Sequence, residues 1–224
     1  MGTLAAVQAR GADAAPLADP VRAVFAEVES LLSAHDPKSE LSRLAPLGDA
    51  EVLARCAAFA RPCYEAAFRL RDETGGVFNP RWRGKGTMDL GAIAKGLAVD
   101  LAAERIGRDG PDALIDLGGN LKAVRGDWRV GVRSSAGGNP GDAFTLREGE
   151  ACATSAEYYR GSHIRDGRTG EAAKSGVQCV TVVHPSSAML ADALSTVMFL
   201  LGRERGTSFL SEHYPEARAI WYTE

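Results

Sequence analysis

Apolar residues at Val21, Val24, Phe25, Val28, Leu31 and Leu32 recur every three or four positions, the period of a helix with one buried face. Asp19-Pro20 marks its predicted start, with Asp19 as cap and Pro20 in the first helical position, and the pattern fades near Ser33. "HDPKSELSRLAPLGD" then reads as a loop with one short helical turn around Leu41. A second helix is predicted from Asp49 to Thr74, stopped by Gly75-Gly76. After the basic, glycine-containing connector "VFNPRWRGKGT", a third runs from Leu90 to Ile106 and ends at Gly107.

From Ala113 the period changes. "ALIDL", "LKAVR", "WRVGVR", "AFTLRE", "GEACATS", "SHIRD" and "VQCVTVVH" are short β-rich runs, separated by turns such as Gly118-Gly119-Asn120 and Gly137-Gly138. "SAMLADALSTVMFLLG" is a fourth helix ended by Gly202, a fifth follows to His213, and "ARAIWYT" closes as a strand. Helices followed by strands, twice over, predict an α+β fold with mainly antiparallel sheet, built as one compact domain over residues 1–224.

Composition narrows the classes. The chain is 45% hydrophobic and 25% charged with a net charge of -3, which gives nucleic acid no basic face. Cys56, Cys63, Cys152 and Cys179 form no CxxC pair, so a zinc site is not expected. Cys56 and Cys63, seven apart in the predicted second helix, read as small apolar residues on one face. No apolar run is long enough to span a membrane, and "MGTLAAVQARG" shows neither a basic start nor a long apolar stretch. The expected location is cytoplasmic, or periplasmic for a chain that has lost a leader.

Three stretches carry candidate chemistry. In "TMDLGAIAKGLAVDL", Lys95 is a lone cation among small and apolar residues. It reads either as a solvated lysine or as a cation aimed at an anion near a helix start. In "ADALSTVMFLLG", Asp192 and Thr196 lie four apart on one helix face. They suit a hard cation such as Mg²⁺, or else Asp192 caps its helix and Thr196 bonds its own backbone. "ACATSAEYYRGSHIRDGRTG" gathers Thr154, Ser155 and His163, a candidate general base, before a turn over Asp166 to Gly170. No G-x-S-x-G elbow surrounds Ser155, which argues against a serine hydrolase.

In order along the chain, "DLGAIAKGLAVD", "DLGGN", "ATSAEY", "HIRDGRTG" and "ADALSTVMF" resemble the motifs of the ApbE family, flavin transferases that move FMN from FAD onto a protein threonine or serine. The upstream "SELSRL" fits as well. The resemblance implies a duplicated, T-fold-type unit with antiparallel sheet and flanking helices. It implies Mg²⁺ held by Asp192, Thr196 and the backbone carbonyl of Ala92, with Lys95 meeting the bound FAD and His163 deprotonating the acceptor hydroxyl. It extends the nucleotide site to His35, Ser39, Asp89, Gly118, Gly119 and Asn120. Thr154, Ser155 and Thr169 complete that set. FAD is then the substrate and a flavoprotein bearing the target Thr or Ser the partner.

The chain departs from the family pattern on the flavin side. His35 replaces an aromatic tyrosine, Ala45 an asparagine, Ala156 a glycine and Glu157 an aspartate. Gly167 replaces a proline, which predicts a looser turn, and the connector after Phe78 is cut to "RWRGKGT". Two readings follow: FMN transfer with release of AMP, or a protein without transfer activity that binds FAD or only hydrolyses it to FMN and AMP.

Overall fold

Alternation along the strands explains the architecture. The computed structural model describes residues 3–107, 109–132, 142–156 and 164–222. In chain order the strands are β1 (Ala5–Arg10), β2 (Asp112–Leu117), β3 (Asn120–Arg125), β4 (Trp128–Val132), β5 (Asp142–Leu146), β6 (Ala151–Ala156), β7 (Cys179–His184) and β8 (Arg218–Tyr222). Six of them form one antiparallel sheet in the order β1-β2-β3-β6-β7-β8, and β4 pairs with β5 separately. Ile115, Leu117, Val180 and Val182 face the main core. Their neighbours Leu114, Cys152 and Val183 point the other way, onto Trp128, Val130 and Leu146 of the β4–β5 pair. Every residue of β7 is buried, which is why "VQCVTVVH" shows no polar alternation.

The helices cover the first face. They are α1 (Ala15–Leu32), α2 (Glu40–Leu44), α3 (Asp49–Arg55), α4 (Arg61–Glu73), α5 (Ala94–Ile106), α6 (Ala188–Leu201) and α7 (Arg203–His213). Phe25 of α1, Leu97 of α5, and Leu194 and Met198 of α6 all belong to the core they share with the sheet.

The elements differ from expectation in five places. α1 begins at Ala15, whose N–H is held by Asp13, so Pro20 lies inside the helix and costs it one hydrogen bond. The predicted second helix is two helices, broken over Cys56 to Ala60. Pro62 has no N–H to continue α3 and instead serves the first turn of α4. Cys56 therefore caps α3 while Cys63 is buried in α4, and the two do not share a helix face. α5 starts at Ala94, after a turn through Leu90 to Ile93. Within "SHIRD", Ser162 and His163 lie outside the described residues, and Arg165 makes only an isolated bridge to Ala172. The strand β1 carries no strong periodic signal, because it is an edge strand of small and polar residues with little burial.

Two glycines set close approaches. At Gly96 a side chain would begin 2.2 Å from the carbonyl oxygen of Ala188, so α5 and α6 cross backbone to backbone. Gly167 donates its N–H to the carbonyl of Val77 at 2.8 Å, and its own carbonyl accepts from Asn79 Nδ2 at 3.3 Å. A Cβ there would meet Asn79 Cβ at 2.4 Å. The expected loosening of this turn is corrected: glycine docks it tightly on residues 76–79, where proline could neither donate nor fit.

Gly96→Ala gains up to about 1 kcal/mol of helix propensity but overpacks the crossing, which costs about 1–3 kcal/mol. Urea unfolding is expected to show a net loss, and unchanged or raised stability would refute the tight crossing. Gly167→Pro is expected to lower the unfolding midpoint by removing a donor and forcing Asn79 aside, and a stabilised variant would contradict that docking.

Candidate active site

The α5–α6 crossing brings together the groups that the sequence keeps nearly a hundred residues apart. Ser187 caps α6 by accepting the Leu190 N–H at 3.1 Å. Asp192, one turn further in, is thereby freed from capping its own helix and reaches across to α5. Its Oδ2 accepts the backbone N–H of Gly96 at 3.1 Å. Lys95 Nζ lies 3.1 Å from each Asp192 oxygen and donates to the carbonyl of Gly91 at 2.8 Å. The Asp192 side chain is only 7% exposed and Lys95 23%, so this pair is largely withdrawn from water. Lys95 is thus a paired cation, and the anion it meets within the chain is Asp192.

One consequence concerns Ala92. The N–H of Gly96 would bond the carbonyl four residues back in a regular helix start, but it is turned to Asp192. Among the described residues no backbone N–H is bonded to the Ala92 carbonyl. A free carbonyl, a carboxylate and, one turn along α6, the half-buried Thr196 hydroxyl are three hard oxygen donors. Among the described residues no group of three His, Cys, Asp or Glu side chains could hold a metal. A cation here would take this mixed oxygen set, which fits Mg²⁺ and not a softer metal.

β6 supplies the next layer. Ser155 faces α6, with its hydroxyl 2.9 Å from Ser195 Oγ and 3.4 Å from Thr196 Oγ1. Ser195 in turn donates to the carbonyl of Asp192 at 2.8 Å, so the hydroxyl chain ties the strand to the carboxylate's own backbone. Thr154 lies on the opposite face of the strand and bonds Thr181 at 2.8 Å. Adjacent in sequence, Thr154 and Ser155 are separated by the sheet.

Asp89 spends its carboxylate locally, accepting the Gly91 N–H at 2.9 Å and pairing with Arg83 at 3.1 Å. Gly118 and Gly119, with φ of 61° and 90°, make the tight β2–β3 turn, and Asp116 Oδ1 accepts the Gly119 N–H. Burial pushes the Asp116 carboxyl above its usual range, against that hydrogen bond. Asn120 is buried beside this turn. Its Nδ2 donates to Leu117 and its Oδ1 has no partner among the described residues.

Ser39 is buried and occupied, donating to Ser33 and capping α2. Thr169 is exposed in its turn and accepts the Glu171 N–H. His35 is exposed, and among the described residues no bond joins its imidazole to Lys95 or Asp192. Ala45, where a flavin-facing asparagine is common, lies in the core, and its carbonyl accepts from Arg81 at 2.6 Å. His163 and Glu157 lie outside the described residues. Ser195 was not singled out in the sequence. Its signal was present as a hydroxyl between Asp192 and Thr196 on an otherwise apolar helix.

Comparisons with known proteins place the chain in a family. The sequence profile of the ApbE family matches residues 81–221. A FAD:protein FMN transferase of Treponema pallidum is 32% identical over 157 residues, covering 60% of this chain and 43% of that protein. One from Rhodobacter capsulatus is 38% identical over 131 residues, covering 52% of this chain and 24% of its own length. The chain thus spans less than half the length of these curated relatives. Among solved structures, the flavin transferase ApbE from Vibrio cholerae superposes with a TM-score of 0.80 at 23% identity, over 99% of this chain and 90% of that one. The apo flavinyl transferase ApbE of Pseudomonas stutzeri gives 0.80 at 20% identity, over 100% and 89%. With most of the chain inside the family profile and the fold shared throughout, this protein belongs to the ApbE family.

Proposed function

We propose that this chain is a Mg²⁺-dependent FAD:protein FMN transferase, which moves FMN from FAD to a Thr or Ser hydroxyl of an acceptor protein and releases AMP. The observation that carries the reading is the Lys95–Asp192 pair beside the free Ala92 carbonyl and the Thr196 hydroxyl. It is a withdrawn, hard-oxygen site whose lysine would exchange Asp192 for a phosphate once a metal ion meets the carboxylate.

Asp192, Thr196 and the Ala92 carbonyl would hold the Mg²⁺. Bound there, the ion supplies positive charge against the pyrophosphate as charge builds in the transition state. Lys95, anchored on Gly91, offers its ammonium to the phosphate oxygens from the α5 side. The acceptor oxygen attacks the FMN-side phosphorus, a new P–O bond forms, and the bridging P–O bond breaks with AMP as leaving group. His163 takes the hydroxyl proton, which raises the nucleophilicity of a group that is otherwise weak at neutral pH. Gly118, Gly119 and Asn120 would support the nucleotide from the β2–β3 turn, where the Asn120 acceptor has no partner among the described residues.

The test is incubation with FAD, Mg²⁺ and a threonine-bearing acceptor protein, followed by flavin fluorescence on a denaturing gel. Fluorescent acceptor supports transfer. AMP release without labelled acceptor assigns FAD hydrolysis instead; FAD bound with neither product assigns binding alone, and no FAD bound rejects every one of these readings.

Asp192→Asn is expected to fold but to lose Mg²⁺-dependent transfer by about 10²-fold or more, because the lost charge is a direct ligand charge. Normal turnover with Mg²⁺ would show that Asp192 serves only the helix crossing. His163→Ala is expected to bind FAD and Mg²⁺ like the parent while transfer falls by about 10²–10⁴-fold, the usual worth of a general base. A structural histidine predicts the reverse: a lower melting temperature with transfer per folded molecule unchanged. Both quantities are read on one preparation by thermal unfolding and single-turnover transfer.

A further inference from the structure

A second arrangement at the start of α6 mirrors the first. Asp100 lies four residues beyond Gly96 on α5, as Asp192 lies four beyond Ala188 on α6. Asp100 reaches across the same crossing and accepts the backbone N–H groups of Ala188 at 2.9 Å and Met189 at 3.0 Å, together with the Ser187 hydroxyl at 3.0 Å. Lys122 of β3 neutralises it at 2.6 Å and also donates to the carbonyl of Ser186 at 2.6 Å. Each helix therefore sets an aspartate on the other's first-turn amides. Each aspartate is met by a lysine that is also bonded to a backbone carbonyl.

We propose that Asp100 is a positioning residue for the Asp192 site. The other amides at the α6 start are held from within the β7–α6 connection. His184 Nδ1 accepts those of Ser186 and Ser187, and Ser187 those of Leu190 and Ala191. Asp100 is the group that fastens this turn to α5. The crossing at Gly96 has no side chain to hold its register, so the register is set by the two aspartates. Loosening Asp100 lets α6 shift along α5, and Asp192 and Thr196, one and two turns further on, move relative to Lys95 and the Ala92 carbonyl. The functional consequence rests on the reading of Asp192 as a metal-binding carboxylate of a flavin transferase. The mechanical coupling does not.

Asp100→Asn tests it on the full chain. Ala188 donates to Oδ1 and Met189 to Oδ2, and asparagine replaces one of these acceptors with an NH₂ donor that faces an N–H. Amide hydrogen exchange at Gly96, followed by NMR, and acetylation of Lys95, followed by mass spectrometry, are expected to quicken about tenfold while β7 amides keep the parent's protection. Faster exchange confined to Ala188 and Met189, with Gly96 and Lys95 unchanged, would make Asp100 a local cap and overturn the proposal. Should that variant fail to fold, Ser187→Ala removes one bond to Asp100, and about threefold faster Gly96 exchange is expected, no change being the refuting result. In the parent and Asp100→Asn, FAD binding is then titrated with Mg²⁺, and the variant is expected to need about tenfold more. A parent that takes up no FAD counts against the proposed function alone, and the exchange rates still judge the coupling.

Discussion

The backbone contact between α5 and α6 at Gly96 is the constraint on which the site depends. With a Cβ position only 2.2 Å from the Ala188 carbonyl, any side chain at 96 would separate the helices. Separation by even one methyl group would take Asp192 out of hydrogen-bond reach of Gly96 N–H, since it already sits at 3.1 Å. The α5 start would then recover its regular bond to the Ala92 carbonyl, and the free oxygen would be lost. One glycine thus links a packing fact to the oxygen set proposed to hold a cation.

Burying carboxylates at such a contact is costly unless each is paired and hydrogen-bonded. The molecule meets that cost with backbone amides at helix starts and with one lysine for each aspartate. Removing a lysine would leave the charge uncompensated, so these pairs specify geometry more than they add stability.

Much of this was legible in the sequence. Period-three-and-four patterns gave α1, α5, α6 and α7, and β-rich runs between glycines gave seven of the eight strands, because burial on one or two faces leaves a strong imprint. What failed did so for local reasons. Pro62 split one apolar pattern into two helices, Pro20 was absorbed where a start was expected, and β1 had too little burial to show. Of the candidate site, Lys95, Asp192 and Thr196 were readable from the company they keep. The free Ala92 carbonyl and the link from Ser155 through Ser195 were not, since both arise from contacts between distant elements. The same holds for Gly167 and Ala45. Their tight docking contact and core position likewise arise from contacts with distant residues.

The mirrored aspartates also show why only one of them offers chemistry. A carboxylate has about four lone-pair positions. Asp100 fills them with two amides, a hydroxyl and Lys122, so nothing further can bind. Among the described residues Asp192 accepts only Gly96 N–H and the shared Lys95 ammonium, both at 3.1 Å, and so retains lone-pair capacity. The surroundings differ in the same sense. At Asp100 the α6 start uses its hydroxyl, Ser187, to close the cap, whereas at Asp192 the α5 position equivalent to Ser187 is Lys95, a long cation that can swing while the amide bond stays. From one pair of crossing helices, saturation makes a fastener at one end, and fewer bonds leave a carboxylate with open lone pairs at the other.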